Sequence, residues 1–198
     1  LGDAVYHMST QLASLINKVD SQNGDMPYHS PSNASFQTDG AVLDDGTEIW
    51  LNSQNAAYLN GQGIVTALNF IGGWKAWGNR TTAYPSNTDV KDAFIPIRRM
   101  FNWVLNTLIT SYWSKVDEPT NKRLINTMVD SANIWLNSLT AAGALLGGRV
   151  EFRQDENSTT DLMDGKIKFH VYLTPPSPAR EITFVQEYDP DYIATLFE

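Results

Sequence analysis

The sequence predicts an α/β region followed by an α+β region built from two long helices and a small β-sheet. Three observations predict it. A run at residues 64–70, bounded by glycines on both sides, reads as a strand of an α/β sheet. Two apolar stripes with steps of three and four residues, starting at Ile97 and at Leu124, read as long helices. Beyond Gly147-Gly148 the apolar period falls to two, which is the spacing of a strand with one buried face.

The elements follow in chain order. Val5, Met8, Leu12, Leu15, Ile16 and Val19 share one side of a helix that ends near Asp20, and this side needs a partner surface. Residues 21–35 are rich in Asn, Ser, Gly and Pro and read as a loop; residues 48–51 read as a short strand. The turn Leu59-Asn60-Gly61-Gln62-Gly63 feeds the 64–70 strand, which has Ile64, Thr66, Leu68 and Phe70 on one side and Val65, Ala67 and Asn69 on the other. That composition predicts burial on most of both faces. Gly72-Gly73 breaks it, residues 74–81 resume an extended pattern, and a loop surrounds Pro85. A boundary near residues 89–96 and the Pro-rich connector that ends before residue 181 divide the chain into units 1–93, 94–180 and 181–198.

In the second unit Ile97, Met100, Phe101, Val104, Leu105, Leu108 and Tyr112 make the first long stripe. Pro119 and Thr120 open a second helix, with Leu124, Met128, Ala132, Trp135 and Leu139 inward and its end at Gly143, and the two are expected to pair. Val150 and Phe152 alternate with Glu151 and Arg153 in a short strand, residues 155–165 form a polar loop, and Ile167, Phe169, Val171 and Leu173 alternate with Lys168, His170 and Tyr172. Pro175, Pro176 and Pro178 cannot donate ladder hydrogen bonds and make a stiff connector to a last strand at residues 181–188, where Ile182, Phe184 and Tyr188 share a face. That strand either closes a hairpin on residues 167–173 or pairs with the sheet edge of another chain.

Composition narrows the function classes. The 198 residues are 42% hydrophobic, enough for one sizeable core or two modest ones. A formal charge of -8 opposes phosphate binding, so no nucleic-acid partner is expected. The absence of cysteine excludes disulfides, thiolate metal sites and thiol nucleophiles. No apolar run approaches the ~18 residues of a spanning helix, so no membrane insertion is expected. The first residue is Leu1 and the opening segment reads directly as a helix, which leads to the expectation of a fragment of something longer.

Candidate chemistry is sparse. His7, His29 and His170 sit on a helix, in a loop and on a strand, none beside a Gly-x-Ser-x-Gly nucleophile motif, and no catalytic or cofactor-binding residue is expected. Asp155, Glu156, Asp161 and Asp164 lack the spacing of a calcium loop and read as a solvated loop, so no metal is expected. Asn33, Asn79 and Asn157 begin sequons that have no meaning without a secretory context. Trp74, Trp77, Trp103, Trp113 and Trp135 are expected mostly in the core. Arg80, Arg98 and Arg99 are expected to pair with carboxylates, either locally or across a domain or subunit boundary.

The order of several short segments resembles the contractile phage tail sheath family over essentially the whole chain. Leu59-Asn60-Gly61-Gln62-Gly63-Ile64, then Gly73 and Trp77-Gly78-Asn79-Arg80-Thr81, are similar to the end of the family's subtilisin-like α/β domain. Ile97-Arg98-Arg99 resembles the paired arginines that open its C-terminal domain. Asp117-Glu118-Pro119-Thr120-Asn121 is similar to its helix junction with one residue inserted, and Gly143-Ala144-Leu145-Leu146-Gly147 resembles its exit from the second helix. Asp164-Gly165-Lys166 with Pro176 and Pro178 fits the final strand pair; the segment after Tyr188 matches no motif.

The resemblance implies a non-enzymatic subunit that polymerises helically around a tail tube and contracts, within a virion tail assembled in the host cytoplasm. It implies as partners further copies of the chain, a tail tube protein, and baseplate and tail terminator proteins. Terminal arms of the family link subunits by strand addition, which would place Ile182, Thr183, Phe184, Val185, Gln186, Glu187 and Tyr188 at a subunit interface. The sheath of a phage-derived bacteriocin or of another contractile injection system fits equally. An inactive hydrolase-like domain and a monomeric binding domain are the readings from other classes.

Overall fold

A computed structural model describes residues 4–197. The ends of the first and last predicted units, residues 1–3 and 198, lie outside the described residues.

Helix α1 spans Met8–Gln22. It starts later than the stripe predicts, because Val5 precedes it and is 76% exposed. The segment at 21–35 is irregular, as expected, yet it is built into the fold. Main-chain bonds from Asn33, Phe36 and Ala76 lay residues 33–36 along the extended segment at residues 74–76, and Pro31 is buried. The predicted strand at 48–51 is not formed: only a single bridge joins Val42 to Glu48.

Helix α2, Ser53–Gly61, occupies the stretch that ends in the predicted turn. Its start is fixed by Asn52, whose side-chain oxygen accepts from the Asn55 amide at 2.8 Å. Strands β1, Thr66–Asn69, and β2, Trp74–Trp77, then form an antiparallel hairpin with Ala67 opposite Ala76. Burial alternates along β1 instead of covering both faces. Leu68 is buried while Phe70 and Ile71, just past its end, are each 72% exposed. The expectation of burial on both faces is corrected accordingly, since the described residues supply β1 with one partner strand, β2.

A short helix α3, Val90–Ala93, leads into α4, Ile95–Tyr112, with Pro96 in its first turn, where a missing N–H costs nothing. Helix α5, Lys122–Ala141, is capped by Asn121, whose side chain accepts from the Leu124 amide at 2.9 Å. Strands β3, Gly147–Phe152, and β4, Phe169–Thr174, pair antiparallel with Val150 opposite Val171. The polar loop between them holds a short helix α6, Thr159–Met163, capped by Ser158. Residues 181–189 carry no strand, and a 3-10 helix, Pro190–Phe197, follows.

One core unites the second region: Met100 and Val104 of α4, Ala132, Leu136 and Leu139 of α5, then Ala144, Leu145 and Val150. Phe169, Val171 and Leu173 of β4 pack against it, as do Trp103 and Trp135, with ring centroids 5.7 Å apart. The expected helical pair is thus made by side chains, and Tyr112 reinforces it by donating to the Met128 carbonyl at 2.9 Å. Trp74 is buried, whereas Trp113 is 72% exposed beyond the end of α4 and does not join the core.

Two asparagines shape the sheet. Asn133 of α5 accepts from the Val150 amide at 2.7 Å and donates to the Val150 carbonyl at 3.1 Å. Asn157, 4% exposed, accepts from the Lys168 amide at 2.7 Å and donates to the carbonyls of Arg153 and Lys168 at 2.7 and 3.0 Å, extending the ladder where the strands separate. Replacing Asn133 with Ala strips both partners from the main chain of Val150, which is 5% exposed. The expected loss is about 1–3 kcal/mol, read as a lower midpoint in urea unfolding at unchanged slope.

Candidate functional site

Two of the sequence segments that carry the resemblance meet in space. Main-chain bonds run from the Thr81 amide to the Ala93 carbonyl at 3.0 Å and from the Ile95 amide to the Asn79 carbonyl at 2.9 Å. They set Trp77-Gly78-Asn79-Arg80-Thr81 against the head of α4. Gly78 has φ of 128°, and a Cβ there would come within 3.1 Å of the Val65 Cα, so this turn requires glycine.

The three arginines separate by environment. Arg99 clasps Asp20 with both terminal nitrogens, Nη1 lying 2.9 Å from Oδ1, and so fastens the end of α1 to the first turn of α4. The Asp20 side chain is only 13% exposed, and the two-pronged geometry suits a planar guanidinium better than an ammonium. Arg98 bonds Asp92 at 3.0 Å on a more exposed surface. Arg80 makes no ion pair among the described residues. Its guanidinium lies 4.3 Å from the ring centroid of Tyr84 and 4.0 Å from that of Phe94, a cation held between two aromatic faces. Burial depresses its pKa below the usual arginine value, and the nearby positive charge of Arg180 adds to the effect. For Arg80 the expectation of a carboxylate partner within the chain is therefore corrected; sequence reasoning registers its charge, not the rings.

Arg99→Met is expected to cost about 1.5–3 kcal/mol, the range for hydrogen bonds to charged groups, and to release α1. Hydrogen exchange within α1 then quickens more than exchange in α5.

The outer face of β3 and β4 carries a polar cluster. His170 Nε2 lies 2.6 Å from Glu156, whose carboxyl is held below the ordinary glutamate range by that bond first and by Arg153 and Lys168 in addition. Arg149 bonds Glu151 at 2.5 Å, and its guanidinium lies 4.2 Å from the centroid of Tyr172. His7 stands just before α1 with no capping bond from its side chain, and His29 lies beside Tyr28. The three histidines do not converge, and among the described residues no group of three or more His, Asp and Glu is placed to hold a metal. Among the same residues no helix is long and apolar enough to cross a membrane.

Among the described residues the C-terminal segment is a strongly exposed apolar stretch. Ile182, Phe184, Val185 and Tyr188 are 71%, 86%, 79% and 81% exposed, and Thr183, Gln186 and Glu187 are exposed as well. None of residues 182–188 hydrogen-bonds to the body of the chain among the described residues. The hairpin with β4 that the sequence leaves open does not form: among the described residues β4 pairs with β3 alone.

No protein-family model matches the chain. The tail sheath protein of Burkholderia phage BcepMu is 34% identical over 141 residues, covering 70% of this chain and 29% of that protein. The major tail sheath protein of Serratia phage KSP20 is 26% identical over 184 residues, 91% of this chain and 44% of that one. The chain thus spans less than half the length of these curated relatives. Its fold matches the cryo-EM structure of the anti-feeding prophage helical sheath in the contracted state with a TM-score of 0.76 at 21% identity, over 93% of this chain and 53% of the other. With a fold that matches a contractile sheath over 93% of its length, and with sequence kinship to phage tail sheath proteins, this chain belongs to the contractile tail sheath protein family.

Proposed function

We propose that the chain is part of a structural subunit that polymerises helically around a tail tube, contracts to drive the tube through a host envelope, and performs no catalysis. The observation that carries this reading is the apolar, unpartnered segment at residues 182–188, set off from the body by Pro175, Pro176 and Pro178. An extended segment with open main-chain groups gains little where it is, and gains a full ladder of hydrogen bonds by adding to the sheet of a neighbour. The same contact repeated from copy to copy is heterologous and does not close on itself, which generates a helix.

Within this reading residues 1–93 complete a subtilisin-like domain, residues 94–180 form the sheath C-terminal domain and residues 181–198 are the linking arm. Contraction is a change of packing between rigid subunits, with the arms as hinges that stay joined. The tail tube, baseplate and tail terminator are the proposed partners, and the virion tail is the proposed location. Arg98, on the surface, and Arg80, held between Tyr84 and Phe94 without a carboxylate partner among the described residues, are candidates for ion pairs that differ between packings.

Electron microscopy of the complete protein expressed alone tests the proposal. Hollow striated cylinders are the expected result; dispersed globules at every salt concentration would overturn it. The likeness in fold to the anti-feeding prophage sheath favours a second reading, a contractile injection system without a genome. Purified particles that contain the sheath and carry no DNA would select it.

A further inference from the structure

Arg80 is anchored firmly and left incomplete. Its backbone forms an antiparallel bridge with Phe94, flanked by the main-chain bonds from Thr81 to Ala93 and from Ile95 to Asn79. Its guanidinium lies against the rings of Tyr84 and Phe94. Stacking covers the flat faces of a guanidinium and leaves the rim, which is where the N–H donors are. Nε is enclosed without a hydrogen-bond partner, and the two terminal nitrogens make no hydrogen bond among the described residues. A donor withdrawn from water and left without an acceptor is costly, and more so when it carries charge.

The carboxylates at hand are already committed. Asp92 receives Arg98 at 3.0 Å on one oxygen and Asn87 at 3.2 Å on the other, and Asp89 accepts from the Lys91 amide at 2.9 Å. Four other arginines, Arg98, Arg99, Arg149 and Arg153, each meet a carboxylate within the chain. The charge that stands near Arg80 is instead a second cation, Arg180, an exposed residue at the root of the C-terminal segment. In a chain with 22 acidic and 14 basic residues, two like positive charges brought together mark a place built for an anion.

Resting on the reading of the chain as part of a polymerising subunit, we infer that Arg80, with Arg180 beside it, is a binding site for a carboxylate, and that this carboxylate is an Asp or Glu side chain of a second copy. The geometry selects the ligand: a carboxylate approaching in the plane of a stacked guanidinium accepts two parallel N–H···O bonds. Charge complementarity selects the source. Each copy has a formal charge of -8, so identical bodies packed side by side repel unless cationic points such as this one lie at the contact.

Carbodiimide coupling tests both parts. The reagent converts a carboxylic acid to an O-acylisourea; a lysine amine in contact attacks the acyl carbon and loses a proton, the urea leaves, and an amide bond joins the two side chains. Arginine does not couple in this way, so Arg80→Lys and Arg180→Lys each place a reporter amine in the site. Arg180 is exposed, which keeps the test in force if the aromatic sandwich rejects the replacement at Arg80. The complete protein is assembled into cylinders from equal parts of ordinary and heavy-isotope-labelled subunits, coupled, digested and analysed by mass spectrometry. The expected result is an amide from the introduced amine to an Asp or Glu in mixed as well as uniform isotope pairs, lost when the subunits are dispersed before coupling. Arg149→Lys is the control and is expected to couple to Glu151 in uniform pairs, assembled or dispersed. Links in uniform pairs alone from the two test variants would overturn the second copy as the source. Cylinders that form normally and give no link at either position would overturn the site. A parent protein that forms no cylinders would instead overturn the sheath reading on which the site rests.

Discussion

A chain ending at Ala179 is expected to keep the folding transition of its parent and, if the proposed arm role holds, to lose the capacity to form cylinders. The removed segment brings no described side chain to the core: Ile182, Phe184, Val185 and Tyr188 are all at least 71% exposed. Nor does it supply a hydrogen bond to the body among the described residues. Loss of exposed groups that touch nothing changes stability by no more than roughly 0.5 kcal/mol. Removal of Arg180 takes a like charge away from Arg80, which acts in the favourable direction. Assembly, by contrast, loses every main-chain bond that the arm would make with a neighbour. Thermal melts and electron microscopy of the same preparation read the two effects separately. Cylinders from the shortened chain would remove the arm from the account of assembly.

Leu136→Ala is expected to give the largest loss of stability from a single side chain. Leu136 is 0% exposed and sits where α4, α5 and β3 meet, among Met100, Val104, Leu145 and Val150. Truncating a leucine in such a place costs about 2–5 kcal/mol, the lost transfer energy plus a cavity that rigid neighbours cannot fill. With a urea slope of about 1–3 kcal/mol/M for a domain of this kind, the midpoint falls by on the order of 1 M. Leu105→Ala on α4 provides the comparison. Leu105 is 55% exposed despite its place in the predicted stripe, and its loss is expected to stay below about 1 kcal/mol. Equal effects at the two positions would contradict the packing described for this core.

The two long helices were legible because a period near 3.6 survives whatever the helices pack against. Which residue points inward was less so. The stripe through Ala132 steps to Trp135, but α5 lies across β3, and that rotates the centre of its buried face to Leu136, leaving Trp135 half-buried at the margin. Helix α2 was missed because Ser53–Gly61 is polar and lacks an apolar stripe; the Asn52 cap was the available signal. The alternation at residues 167–173 and at residues 181–188 looks alike in sequence, yet only the first is a strand in the fold. Alternation specifies the two sides of a strand and leaves the partner unspecified. The arginine pair was recognisable as charge, while the clasp of Arg99 on Asp20 joins residues 79 positions apart and has no local signature. Asn133 and Asn157 were invisible for the same reason: an asparagine in a helix and an asparagine in a loop give no sign that each will complete a ladder.

Under the proposed strand addition, the engagement of Val150 by Asn133 limits the valence of the molecule. With one side of the β3–β4 pair sealed from within, each unit presents a single vacant rail and a single free strand to fill one. Objects with one plug and one socket can only grow as unbranched lines. A second socket would permit forks, and a population of forking units sets into a gel long before it forms a tube of uniform bore.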